Sequence, residues 1–198
     1  MTTNYATLAE LKDLDVLNVS NIDHDDALNR EIGAASRKID EFCARHFYQE
    51  SGTKYYTPDR FDELKIDDIY SSTGLTVALD SNRDATYDVS LTSSDWDLWP
   101  YNPKFGRPYV KLIMTYLNGY SFYKYPKSVS ITSSYWGWTA VPSQVNQACV
   151  MIANRLHKRN QTILGQAGAS AIGQLSLKIP RLDPDVQELL LPFRKSLT

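Results

Sequence analysis

Between positions 145 and 156 the apolar residues Val145, Ala148, Cys149, Ile152, Ala153 and Leu156 fall at i, i+3, i+4, i+7, i+8 and i+11. This is one face of a 3.6-residue period with no member missing, and it predicts a helix from Ser143 to about Asn160. The same rhythm occurs earlier. Leu28, Ile32, Ala35, Ile39, Phe42 and Cys43 repeat at threes and fours, with Arg30, Arg37, Lys38 and Glu41 on the other side. They predict a long helix that stops near His46 to Tyr48, with Asp23 as its N-cap and Asp25 and Asp26 at the positive end of its dipole. A short first helix is marked by Leu8, Leu11 and Leu14, and by Thr7 and Glu10 at capping-box spacing.

From Ser51 to about Tyr135 the helical rhythm gives way to short runs of Tyr, Val, Ile and Thr broken by Gly, Pro, Asn, Asp and Ser. That is the signature of strands joined by turns. The expected strands are Lys54 to Thr57, Glu63 to Ile66, Leu75 to Leu79, Tyr109 to Met114 and Ser128 to Tyr135, with Thr86 to Val89 as a sixth. Residues Asp95 to Pro103 carry two prolines and predict an irregular arm lying on the sheet rather than a strand. Gly137 and Pro142 mark the hinge back to helix, because glycine permits a sharp bend and proline is tolerated near a first helical turn.

Two features close the chain. Gly165 to Gly173, with small side chains and three glycines, predicts a flexible loop over 162–178. Asp183 and Pro184 then cap and open a last short helix whose apolar face is Val186, Leu189, Leu190 and Phe193. So short a terminal helix is marginal by itself, and its face needs the core or another chain. The organisation expected is a single α+β domain over 1–198. It is a helical bundle with an antiparallel β region inserted over 51–140, and residues 183–198 form a C-terminal helix and tail.

Composition narrows the function. At 198 residues and a formal net charge of −2 the chain lacks the basic excess of a general nucleic-acid binder. No apolar run approaches the ~18 residues of a membrane span, and the N-terminus lacks a signal-peptide pattern. A soluble, unexported protein with two reduced cysteines is the expectation. Thirteen tyrosines and four tryptophans exceed what a core of this size needs. They concentrate between Tyr48 and Trp138 and suggest an interaction surface.

The order of several segments resembles a known family. Tyr5-Ala6-Thr7-Leu8-Ala9-Glu10-Leu11-Lys12 and the helix containing Ala34-Ala35-Ser36-Arg37-Lys38-Ile39-Asp40-Glu41-Phe42-Cys43 are followed by Phe47-Tyr48, the β region and Gly137-Trp138-Thr139-Ala140-Val141-Pro142. Gln147-Ala148-Cys149, Arg155-Leu156-His157-Lys158-Arg159 and the run from Ile179 to Arg194, with Arg181-Leu182-Asp183-Pro184-Asp185-Val186 at its centre, complete the set. Together they resemble the head-tail connector (adaptor) proteins of long-tailed bacteriophages and related prophage particles. The resemblance implies a virion neck protein, present in the host cytoplasm before assembly. It would form a ring of its own copies, commonly twelve, that joins the portal protein to a stopper or tail-completion protein and lets packaged DNA pass without reading its sequence. It implies no cofactor, no enzymatic activity and no membrane. Carried over, Arg181, Leu182, Asp183, Val186, Leu189, Leu190, Phe193 and Arg194 become the portal-docking candidates. Independently, the small-residue composition of Gly165 to Gly173 leads to the expectation that this loop and the C-terminal tail order together only on a partner surface, the portal.

Other chemistry competes with plain structural roles. Cys43, His46, Cys149 and His157 would have to converge to hold zinc, and core cysteines with helix-end histidines explain them better. Asp67 with Asp68 and Asp95 with Asp97 have the composition of glycosidase carboxylates, but aspartate at turns is ordinary. No nucleophile elbow, phosphate loop or dinucleotide fingerprint is present, so no catalytic and no metal residue is assigned. Arg155, Lys158 and Arg159 suit the negative end of their helix, with contact to passing DNA as the second reading. Trp96, Trp99, Tyr101, Tyr120, Phe122, Tyr123 and Tyr125 would serve the alternative function, an aromatic-rich carbohydrate-binding module of a tail or wall-associated protein.

Overall fold

The structure, a computed structural model, describes residues 3–13, 24–115, 117–165 and 182–195. Helices α1 (Leu8–Lys12) and α2 (Asp25–Cys43) precede strands β1 (Gln49–Tyr56), β2 (Glu63–Ile69), β3 (Thr76–Leu79), β4 (Val89–Leu91), β5 (Trp96–Trp99), β6 (Tyr109–Met114) and β7 (Val129–Gly137). Helices α3 (Ser143–Gly165) and α4 (Pro184–Leu190) follow, and a 3-10 turn, Leu191–Phe193, closes the described chain. Two compact units result: Met1–His46 with Val141–Thr198, and Phe47–Ala140.

In the sheet unit the order is β4-β3-β7-β2-β6-β5, with β1 also paired to β7, and every pairing is antiparallel. Two irregularities bend it. On β7 two residues, Ser134 and Tyr135, face the single Ser51 of β1, since Glu50 pairs Trp136 and Gly52 pairs Ser133. That bulge resets the alternation, so Ser133 and Trp136 are both buried although three apart. Ser133 Oγ accepts the N–H of Tyr135 at 2.9 Å, and the Trp136 indole N–H donates to the carbonyl of Gly52 at 2.8 Å. Gly52 sits at φ 149°, a backbone open to glycine. The second irregularity lies between Lys65 and Ile69, where β2 leaves β6 and reaches β7. Bulges increase local twist and curl a sheet, and this one curls into a half-barrel. Its inner layer is Leu64, Ile66, Val77, Leu79, Leu112, Met114, Ile131 and Trp136, all nearly inaccessible. Each contributes about 1.5–3 kcal/mol by leaving water.

This overturns the expected helical bundle with a β graft. The organising body is the antiparallel half-barrel, and of the four α-helices among the described residues α1 has five residues and α4 seven. The amphipathic period of α2 and α3 is a strong signal that outweighs short strands cut by turns, so a reading by period overstates the helices. The irregular arm is corrected too. Residues 96–99 form β5, an edge strand paired only to β6, with Trp96 and Leu98 inward and Asp97 and Trp99 outward. Pro100 and Pro103 fall after it, so they end the strand without interrupting its ladder. The sixth strand runs Val89–Leu91 rather than from Thr86.

In the helical unit α2 and α3 pack face to face, with α4 against both. Leu28, Ile32, Ala35, Ile39 and Cys43 from α2 and Val145, Ala148, Cys149, Ile152 and Ala153 from α3 are buried. The capping box of α1 forms as its spacing predicts: Glu10 N–H donates to Thr7 Oγ1 and Thr7 N–H to the Glu10 carboxylate. Helix α2 ends at Cys43, earlier than expected, with Ala44 in the left-handed region at φ 52°. The expected N-cap Asp23 lies outside the described residues, as does the 162–178 loop except for 162–165, which belong to α3.

Candidate functional site

The C-terminal segment is built onto its own unit. Asp183 precedes α4, whose first residue is Pro184, and the Asp183 carbonyl accepts the N–H of Gln187 at 2.9 Å. The spacing of Leu182, Val186, Leu190 and Phe193 turns all four inward, and all are buried. Lys195 N–H donates to the carbonyl of Cys43 at 2.8 Å, and the Cys43 thiol points at the carbonyl of Leu190. The Arg194 guanidinium lies 5.6 Å from the ring centre of Phe42. Of the portal-docking candidates, Leu182, Val186, Leu190 and Phe193 are therefore held inside the helical unit, and Leu189 is half-buried. Asp183 is ion-paired with Arg155, Arg194 is exposed, and Arg181 lies outside the described residues. The outward side carries Asp185, Glu188 and Leu191, the last 61% exposed.

The Arg155 to Arg159 group does not end its helix as expected: α3 runs on to Gly165 and its last turn holds no cation, so the helix dipole does not explain these residues, and the group divides. Arg155 bridges to Asp183 and so ties α3 to the start of α4, whereas Lys158 and Arg159 are exposed. Gly137 ends β7 at φ 90°, a conformation that favours glycine. The carbonyl of Pro142 accepts the N–H of Asn146 at 2.9 Å, which places the proline at the mouth of α3.

The cysteines and histidines considered as a metal set are spread apart. Cys149 lies against Ser36 Oγ at 3.5 Å and His157 Nδ1 meets Glu31 at 3.0 Å, both buried. Among the described residues no group of three or more metal-ligating side chains converges. Burial pushes the Cys43 thiol up to about 12 and raises that of Cys149, so both stay protonated. Asp40 is raised by burial despite its hydrogen bond from the Tyr5 hydroxyl. Ser36 and Glu31 carry no signal in the sequence. Nothing in the apolar period marks a buried serine that bonds the Ile32 carbonyl at 2.8 Å and accepts the N–H of Tyr5 at 3.0 Å.

The paired carboxylates do not face each other. Asp67 and Asp68 lie within β2, not at a turn, so the pleat sends them to opposite sides. Asp67 meets Lys54 at 3.0 Å, while Asp68, buried, accepts the Trp138 indole N–H at 2.8 Å. Asp95 stands in the turn before β5 and is buried, while Asp97 is exposed on the strand. The aromatic set also splits: Trp96 and Phe122 are core, Trp99, Tyr101 and Tyr120 are exposed, and Tyr123 and Tyr125 stack on each other with centroids 6.1 Å apart. Trp96 and Trp99 are three apart on a strand and face opposite ways, so the seven rings form no common platform.

No helix among the described residues is long and apolar enough to cross a membrane. No protein-family model matches the chain, and no curated protein matches it. Solved structures do. A chain in the neck of an empty GTA particle, computed with C6 symmetry, is similar at a TM-score of 0.58 and 18% identity over 100% of this chain and 94% of that one. A chain in the virion of a native gene transfer agent (GTA) particle is similar at a TM-score of 0.55 and 20% identity, over 96% of this chain and 89% of that one. The protein thus has the fold of chains found in the neck and virion of gene transfer agent particles.

Proposed function

We propose that the protein is a structural subunit of the neck of a phage-like particle, an adaptor that forms a ring between the portal and the tail or next neck protein and lets DNA pass through. The observation that carries this reading is the end-to-end likeness to the neck chain, which spans 100% of this chain rather than one module of it. The ordered segments from Tyr5 to Arg194 support the same class. The C6 symmetry of that neighbour's particle favours closed rings, with twelve copies the number implied by the connector resemblance.

We assign portal contact to the C-terminal segment from Asp183 to Arg194. Val186, Leu190 and Phe193 fix it to the subunit, and Asp185, Glu188, Leu191 and Arg194 are the groups left to meet a partner. Electron microscopy of the protein mixed with portal tests both parts. The expected result is a ring of copies seated on the portal through this segment, with a Leu191→Glu, Glu188→Lys variant failing to seat. A ring that seats through other residues overturns the docking assignment, and a protein that never joins the portal overturns the adaptor reading.

A further inference from the structure

At one place in the sheet unit two loops are tied around a cleft. Asp80, 4% exposed, follows β3, and its carboxylate accepts the N–H groups of Asn82, Arg83 and Ala85 at 3.2, 2.8 and 3.1 Å. The loop is wound so tightly that Arg83 and Ala85 both take φ 65°. Opposite, the Tyr125 hydroxyl donates to the Asp80 carbonyl and the Tyr87 hydroxyl to the Lys127 carbonyl at 2.9 Å. Lys127, at φ 56°, donates its N–H to Thr57 Oγ1 at 3.0 Å. Arg83, Ala85 and Lys127 are three of the five non-glycine residues with positive φ among those described, and all three line this cleft. A Cβ crowds the following carbonyl in that conformation, so each such residue persists only where the surrounding structure demands it.

The cleft, of about 510 Å³, is lined by Arg83, Lys124 and Lys127, by Tyr87 and Tyr125, and by Asp80. The Asp80 carboxylate is occupied by backbone N–H groups. Among the described residues none of the three cations has a carboxylate within ion-pair distance. Arg83 lies over the Tyr125 ring at 4.7 Å and Lys124 over Phe61 at 5.1 Å. Aromatic faces hold cations in place without neutralising them. Three positive charges that no ion pair neutralises thus meet at one built site against a single lining carboxylate, Asp80, whose N–H bonds leave its charge in place, so cations outnumber carboxylates in the lining.

We infer that this cleft is a phosphodiester-binding site that takes the backbone of duplex DNA. A planar guanidinium matches a phosphate by two parallel N–H bonds, two ammonium groups add point charge, and the tyrosine rings offer an apolar wall to deoxyribose. None of these groups is arranged to read a base edge, so the contact is independent of sequence. The site goes beyond the adaptor reading, which needs only that DNA pass. A protein that seats on portal but ignores duplex loses the cleft alone.

The test is fluorescence anisotropy of a short labelled DNA duplex with the full-length protein, titrated from about 50 to 200 mM salt. The expected result is binding whose log K falls linearly with log salt. Arg83→Ala with Lys127→Ala should weaken it about tenfold or more at low salt and reduce the slope by about 1 to 2, near 0.9 for each phosphate that is no longer neutralised. Alanine keeps a Cβ in the same left-handed backbone, and Lys124→Gln, which leaves the backbone alone, should lower the slope by about 1. Lys38→Ala on α2 should change nothing. Absent duplex binding, an unchanged slope in these variants, or displacement of duplex by poly-glutamate at equal charge each overturns the assignment.

Discussion

A single carboxylate shows how much of the sheet unit hangs on one side chain. Asp95 precedes β5 and accepts the Thr92 N–H and hydroxyl, both at 2.7 Å, and the Asn118 amide at 2.5 Å. It therefore fastens the start of an edge strand to the loop beyond β6. The Thr92 hydroxyl, Asn118 and the Thr92 N–H hold its carboxyl below the ordinary value of 3.8. Because the native value is depressed, the unfolded chain binds the proton more readily. The contribution to stability is complete above pH 3.8 and is lost as pH falls toward the native value. Asp95→Asn should be less stable than wild type at pH 7 by denaturant unfolding, with the gap narrowing below about pH 4. A gap independent of pH would mean that the amide fails for steric reasons, not for want of charge.

Elements depend on their ends as much as on their faces. Helix α2 stops where Ala44 turns left-handed, with its N–H and that of Arg45 both donating to the Asp40 carbonyl. Glycine is the usual residue there, since a Cβ in this region costs about 1–2 kcal/mol. Ala44→Gly removes that cost while freeing the unfolded chain by about 0.4–1 kcal/mol. The net expectation is a gain of about 0.5–1 kcal/mol, read as a rise in Tm of about 1–4 °C; a fall would show that the Ala44 methyl packs better than its backbone suggests. The same helix marks the limit of reading by period. Its apolar face was legible because Leu28, Ile32, Ala35, Ile39 and Cys43 recur on one side, but a stop made by alanine leaves no glycine or proline to see. Strands Tyr109–Met114 and Val129–Gly137 were legible from their β-branched and aromatic runs. The bulge opposite Ser51 was not, because it depends on how two distant strands pair. Strand β5 was hidden by prolines that follow it. Of the cleft, only Tyr125 stands out in the sequence, as part of an aromatic run; Asp80 and Arg83 carry no periodic signal, and their roles come from a turn that brings residues 80 and 125 together.

At the scale of the whole molecule, the sheet unit begins and ends at one point. Phe47 and Trp138 rings lie 5.2 Å apart, Trp138 N–H donates to the Tyr48 carbonyl at 3.5 Å, and Gln49 pairs Gly137. The two ends of residues 47–140 are thus fastened to each other within the sheet unit. The core of the half-barrel is drawn from its own strands, led by Leu79, Leu112, Ile131 and Trp136 at no exposure. A segment whose ends are already paired and whose apolar layer is its own meets the usual conditions for independent folding. The fragment 47–140 should therefore fold alone. All four tryptophans, Trp96, Trp99, Trp136 and Trp138, lie within it. Their fluorescence reports this unit in fragment and full-length protein alike. The expected outcome is a cooperative urea transition in the fragment, with the native emission retained and slow hydrogen exchange centred on β7, the strand paired to β1, β2 and β3. A broad, non-cooperative loss of signal would mean that the half-barrel is stable only with the helical unit present, so that the two compact units fold as one.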